Sequence, residues 1–165
     1  MESCRSLALF TGSLGLVSSL TALSTDFWVI ATGPNFSAHS GLWPTGSQDP
    51  VTGYIHVTQI FCILAVLWDL VSMGFLVLSC IPALSGPGCS PLVSTITAFA
   101  AALSMMVAMA VYTSERWSQH PHPQIQTSFS WSFHLGWVST ILFLCAGSLS
   151  LGARCGTRRS DYESL

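Results

Sequence analysis

Asp69, in the string LWDLV, is the one ionisable acid or base well inside an apolar stretch of this chain. A carboxylate at the centre of a bilayer costs about 2.5 kcal/mol or more when charged, so such a residue is a functional candidate by default. It could line a proton or ion path. No second carboxylate or arginine stands at similar depth to form a relay, however. The expected role is structural: a protonated acid hydrogen-bonded to a hydroxyl or carbonyl of a neighbouring helix. Histidines are the other chemical candidates. His120 and His122 lie in HPHP, and His39 and His56 lie in an earlier polar stretch. Without nearby cysteine or carboxylate ligands they make a poor metal site, and no metal or other cofactor is expected. Histidine is the side chain whose charge changes nearest neutrality, so an acidic compartment would shift their side of the protein towards positive charge. Ser, His and Asp all occur, but scattered, with no nucleophile elbow, phosphate loop or metal motif. The sequence carries no catalytic constellation, and an enzyme is not expected.

The elements that hold these residues follow from composition. Charged residues are 7% of the 165, and the five basic ones, Arg5, Arg116, Arg154, Arg158 and Arg159, include no lysine. A soluble domain carries about 25% charged residues, so this chain cannot cover a water-facing surface. It has no basic patch for nucleic acid; its main partner is the lipid bilayer. Four stretches are long enough to cross one as helix, which takes about 20 apolar residues: 6–25, 59–81, 92–112 and 133–152. Prolines bracket the second and third at Pro82, Pro87 and Pro91, where they cannot interrupt helical hydrogen bonds. Thr11, Gly15 and Ser19 recur every four residues, as do Ala98 and Ala102; small residues at that spacing let helices approach closely. The first span has a rival reading, because ALS before Thr25 resembles a signal-peptidase site. The uncharged run is longer than a usual signal core, so retention is expected. Cleavage would leave three spans and every later loop on the same side.

Orientation follows from the arginines. With both termini cytosolic, only Arg116 lies outside, which satisfies the positive-inside rule. Asn35, in the sequon NFS, then falls in the first luminal loop, 26–58, as glycosylation requires. The second luminal loop is 113–132, and 153–165 is a cytosolic tail. Cys4 and Cys155 lie beside the cytosolic face, where palmitoylation competes with the unmodified thiol; the two luminal loops have no cysteine. The tail ends YESL, with Tyr162 and Leu165 spaced as Tyr-x-x-bulky-aliphatic. Clathrin adaptor medium subunits read such a tetrapeptide in extended form, with a pocket for the ring, a second for the aliphatic side chain and strand-like pairing between. This makes lysosome-type sorting the expected use of the tail. A PDZ ligand, held by its terminal carboxylate, and an unread tail are the rivals.

The first loop reads as a small antiparallel sheet. FWVIAT and YIHV have the β-branched and aromatic content of strands, with Gly, Pro, Asn and Ser between them. Trp28 and Trp43 suit the membrane interface, ring buried and N–H wet. Four spans, a long first loop, a short second one, Trp28 and then Gly41-Leu42-Trp43 resemble the peripheral myelin protein, epithelial membrane protein and claudin superfamily. The strings SAHSGLWPTG, GYIHVTQ, MAVYTSERW and HPQIQTSFSWSF look closer still to one member, a membrane component of cytotoxic-lymphocyte granules. The fold class implied is an all-α membrane protein, a four-transmembrane-helix bundle with a small β-sheet in the first luminal loop, as one unit over 1–165. The function implied is a non-enzymatic part in granule trafficking or exocytosis, with other granule membrane proteins as candidate partners. The alternative is a claudin-like adhesion or channel protein at the cell surface. Claudins follow the tripeptide with a paired cysteine that staples the loop. Here Gly46 stands where the first would be, so that brace is missing and the claudin role is weakened.

Overall fold

The computed structural model describes residues 2–43, 53–80, 91–118 and 125–163. Four helices dominate: α1 Glu2–Ser24, α2 Gly53–Cys80, α3 Pro91–Ser118 and α4 Trp131–Glu163. Three short strands complete the described elements: β1 Val29–Thr32, β2 Ser37–Ser40 and β3 Gln126–Phe129. Each helix contains a stretch long and apolar enough to cross a membrane: Ser3–Ser24, Gly53–Ser79, Leu92–Ser118 and Trp131–Arg154. Expected spans 92–112 and 133–152 lie within α3 and α4, while 6–25 overruns α1 by one residue and 59–81 follows α2 as far as Cys80, the last described residue there.

The helices form a ring in which α1 packs on α4, α4 on α3 and α3 on α2, with a thinner seam between α1 and α2. Leu7, Phe10, Val17, Ile60, Leu67, Leu103 and Ile141 stay outside, as they must where the solvent is lipid. The inner stripes are small or polar: Ala8, Ser19, Ala65, Ala98, Ala101, Ala102, Ser139 and Ala146 are all buried. Gly15 shows why. A Cβ there would stand 2.8 Å from the Phe143 ring of α4. Small side chains allow close backbone approach where no hydrophobic force draws helices together in lipid. The regular spacing of Gly15, Ser19, Ala98 and Ala102 therefore serves the bundle's own packing. At the end of the bundle away from the sheet, Arg5 donates to the Ser79 carbonyl (3.3 Å). This sets a cation on the C-terminal end of α2, where the helix dipole favours it.

The sheet departs from the expected one. YIHV is not a strand: Tyr54 to Val57 form the first turn of α2. Its aromatic and β-branched content is used in packing. The Tyr54 ring lies 6.1 Å from Tyr112, and its carbonyl accepts the Thr58 hydroxyl (2.9 Å). Strand propensity reflects such side-chain packing, so context overrides it. The partner of β1 is instead SAHS, and a third strand arrives from the α3–α4 connection. The order is β2-β1-β3, all antiparallel, with Val29 opposite both Ser40 and Phe129. The sheet joins both loops at this end of the bundle.

Candidate functional site

The last carbonyls of a helix have no partner within it. At the end of α1, side chains from beyond the helix supply partners. Thr25 Oγ1 donates to the Thr21 carbonyl (2.7 Å), Trp28 Nε1–H to Ala22 (2.7 Å) and Trp43 Nε1–H to Leu23 (2.8 Å). The indoles expected to keep their N–H groups in water thus cap α1 instead. Trp28 is fully buried, whereas Trp43 is 44% exposed. Both acceptors lie on residues that cleavage after Ser24 would remove.

Trp28 is the hub of this end. Its ring meets Tyr112 of α3 edge-on at 4.9 Å and Phe133 of α4 at 6.4 Å. Its backbone N–H donates to the Ser40 carbonyl (3.2 Å), and its carbonyl accepts from Ser130 (2.9 Å). One residue therefore ties α1, β2, α3 and the start of α4. A hydroxyl pair, Thr25 with Ser132 (2.7 Å), reinforces the last junction.

Gly41-Leu42-Trp43 is built for the same cap. A Cβ on Gly41 would lie 2.5 Å from the Asp26 Cα, a collision with backbone that only glycine avoids. Leu42 is fully buried, and its carbonyl accepts from Gln59 Nε2 (2.7 Å) at the start of α2. The oxygen of that amide, Oε1, accepts from His56 Nδ1–H (3.2 Å). Tyr112 and Gln59 were not singled out as site residues from the sequence. The only signal was a polar group opening or closing an apolar run. Gly46 lies outside the described residues; within the described cap, two indole hydrogen bonds and a third strand tie the first loop to the rest of the protein.

The other candidates do not converge. Asn35 is exposed in the β1–β2 turn, which Gly33 N–H closes on the Phe36 carbonyl (2.8 Å). Ser37, the hydroxyl residue of its sequon, opens β2 and is also exposed. His39 lies on β2, stacked on Phe27 at 4.7 Å, and His56 lies on α2. His120 and His122 lie outside the described residues. No three His, Cys, Asp or Glu residues gather among those described. Cys4 is half-buried in α1, while Cys155 falls within α4 and Tyr162 in its last turn. Leu165 lies outside the described residues.

Asp69 is buried in α2, 1% exposed, facing the seam with α1. Its Oδ1 lies 3.7 Å from where a Cβ on Gly12 would stand. Its Oδ2 has no hydrogen-bond partner among the described residues. Ser72, one turn on in the same helix, bonds instead with Ser94 of α3 (2.9 Å to the carbonyl). An isolated acid among apolar neighbours is tolerable when uncharged. Asp69→Asn, which cannot ionise, is expected to leave the yield unchanged and the melting temperature in detergent within about 2 °C of the parent, a shift of at most about 1 kcal/mol for this size. Loss of a measured proton or ion flux in that variant would assign Asp69 to transport.

This architecture and motif can be placed among known proteins. The profile of the PMP-22/EMP/MP20/Claudin family matches residues 5–150. The chain is similar to Protein NKG7 of Mus musculus, 74% identical over 165 residues, and of Homo sapiens, 72% identical over 165, with all of both chains covered in each case. It is also similar to the lens fiber membrane intrinsic protein of Rattus norvegicus, 31% identical over 168 aligned positions that cover 95% of this chain and 93% of that one. Four spans, a sheet of two joined loops and the Trp28 and Gly41-Leu42-Trp43 cap make this chain a member of the PMP-22/EMP/MP20/Claudin family.

Proposed function

We propose that the protein is a non-enzymatic membrane component of cytolytic, lysosome-related granules, and that it promotes their trafficking and exocytosis in cytotoxic lymphocytes. The observation that carries the reading is the Tyr162-to-Leu165 signal on a short tail beyond the last span. Full-length likeness to Protein NKG7 supports it, as does the likeness of SAHSGLWPTG and MAVYTSERW to the natural killer cell granule protein. In this reading both termini are cytosolic, adaptor medium subunits sort the protein between the plasma membrane and granules, and the sheet faces the lumen. The loops would meet granule contents inside the cell and other cells after fusion. A lymphocyte lacking the protein should recognise targets normally but release less granule content on stimulation. Normal release, measured as surface exposure of a lysosomal membrane marker, would refute the exocytic role.

Topology has its own test. Asn35 sits at the tip of an exposed hairpin, the kind of site an oligosaccharyltransferase can reach. Asn35→Gln should abolish any glycosidase-sensitive shift in gel mobility. Antibody access to a terminal epitope on unpermeabilised cells would reverse the assigned sides.

The second reading is claudin-like adhesion at the cell surface, favoured by family membership. The absence of the paired loop cysteines argues against it, since nothing covalent makes this loop the rigid strut that cell-to-cell strands need.

A further inference from the structure

β2, Ser37–Ser40, is an outer strand of the sheet, and all four of its residues are exposed. Burial therefore does little to hold it on β1. A side-chain contact ties it further in. The His39 imidazole lies nearly flat on the Phe27 ring, with 4.7 Å between centroids and 16° between planes. Phe27 in turn stacks on Trp131, the first residue of α4, at 6.0 Å and 28°. Both distances fall in the range of about 4.5–7 Å over which aromatic pairs attract. Three rings thus run from the edge strand, across the connection between α1 and β1, to α4. The middle ring is well fixed, because Phe27 precedes the buried Trp28 and its carbonyl accepts from the Ser132 N–H (3.3 Å). His39 is the member of the stack that can change charge.

We propose that this stack is an acid-strengthened clasp: protonation of His39 tightens β2 against Phe27 and the start of α4, and neutral pH loosens it. A neutral imidazole offers Phe27 ordinary ring stacking, whereas an imidazolium is also drawn to the negative face of the ring. The folded clasp therefore favours the proton. Its added stability is present in full in acid and is lost as pH rises through the range in which histidine titrates, about pH 5 to 8.

Charged and titratable neighbours are sparse on the elements that the clasp joins. β1 and β3 carry none. The connection from α1 carries Asp26, whose Oδ1 would stand 2.6 Å from a Cβ on Gly41, two residues beyond His39. Its negative charge favours the imidazolium. The first turn of α4 carries the exposed His134, whose own protonation opposes it. On the granule reading proposed above, the sheet is clasped in an acidic lumen and released when fusion brings neutral medium. That use of the clasp rests on the granule reading, whereas the clasp itself does not.

The test is amide hydrogen exchange, read by mass spectrometry on the full-length protein in nanodiscs at about pH 5.5 and about pH 7.5, with each rate divided by the intrinsic rate at that pH. Protection of Ser37–Ser40 should be about threefold higher in acid. His39→Phe keeps the stack without the charge, so its protection should be the same at both pH values. His39→Ala loses the ring and should leave β2 less protected at both. His134→Gln should keep the parent's pH dependence. Equal protection of the parent at the two pH values, or a pH dependence undiminished in His39→Phe, would overturn the clasp. A pH-dependent clasp in a protein that immunofluorescence places outside acidic compartments would leave the clasp standing and refute only its use in granules.

Discussion

Trp28→Ala is expected to leave almost no folded protein. Removing a buried tryptophan costs about 3–5 kcal/mol in lost burial and cavity. It also strands the Ala22 carbonyl in the core, which adds about 1–3 kcal/mol, against a total stability of about 5–15 kcal/mol for a typical domain. The same side chain contacts α3 and α4, so the loss is not confined to one loop. Melting of the detergent-solubilised protein, and its escape from the endoplasmic reticulum, should both collapse. Trp28→Phe keeps most of the ring but no N–H donor and should fall between. Trp117, 83% exposed at the end of α3, is the control, and Trp117→Ala should behave like the parent. If Trp28→Ala melted with the parent, the hub described for this residue would be wrong.

Under the proposed sorting role, Tyr162→Ala should move the protein from granules to the plasma membrane. Adaptor recognition needs the tyrosine ring and the Leu165 side chain but not the terminal carboxylate. A PDZ domain needs that carboxylate and Leu165 but is largely indifferent to Tyr162. An unread tail needs neither. Leu165→Ala should therefore mislocalise the protein too, less completely, while a few glycine and serine residues appended after Leu165 should do little. Immunofluorescence in a lymphocyte beside a lysosomal marker gives the readout. Mislocalisation by the extension but not by Tyr162→Ala would hand the tail to a PDZ partner. Granule retention of all three variants would place sorting in the spans or loops.

The bundle was legible because lipid imposes one rule on every span: enough apolar residues, and small ones where helices touch. Residues 59–81 and 92–112 show it without reference to any partner. The sheet was half legible. FWVIAT announces β1, but SAHS has no strand propensity and pairs because a tight turn folds it back on β1. β3 was missed for the same reason: Gln126, Thr127 and Ser128 give no hydrophobic alternation, and only the bundle's geometry brings them alongside. The tryptophans were found by type but misjudged in role. No pattern in the sequence reveals that an indole N–H will meet a helix end two dozen residues or fewer away rather than water. The continuation of α4 through ARCGTRRSDYE was equally hidden, since that stretch has no apolar periodicity and inherits its helix from the preceding turns.

The three-stranded sheet has a consequence for how the molecule is made. β1 leaves the ribosome before α2, but its second neighbour, β3, is synthesised only after α3. Ser130, which donates to the Trp28 carbonyl just before α4 begins, follows immediately. Until the last helix is nearly in place, the β1 edge of the β1–β2 hairpin is bare, a surface to which a chaperone can bind. Its closure marks the moment when all four helices have found one another. An antibody specific for the closed sheet would thus count finished molecules and ignore truncated ones.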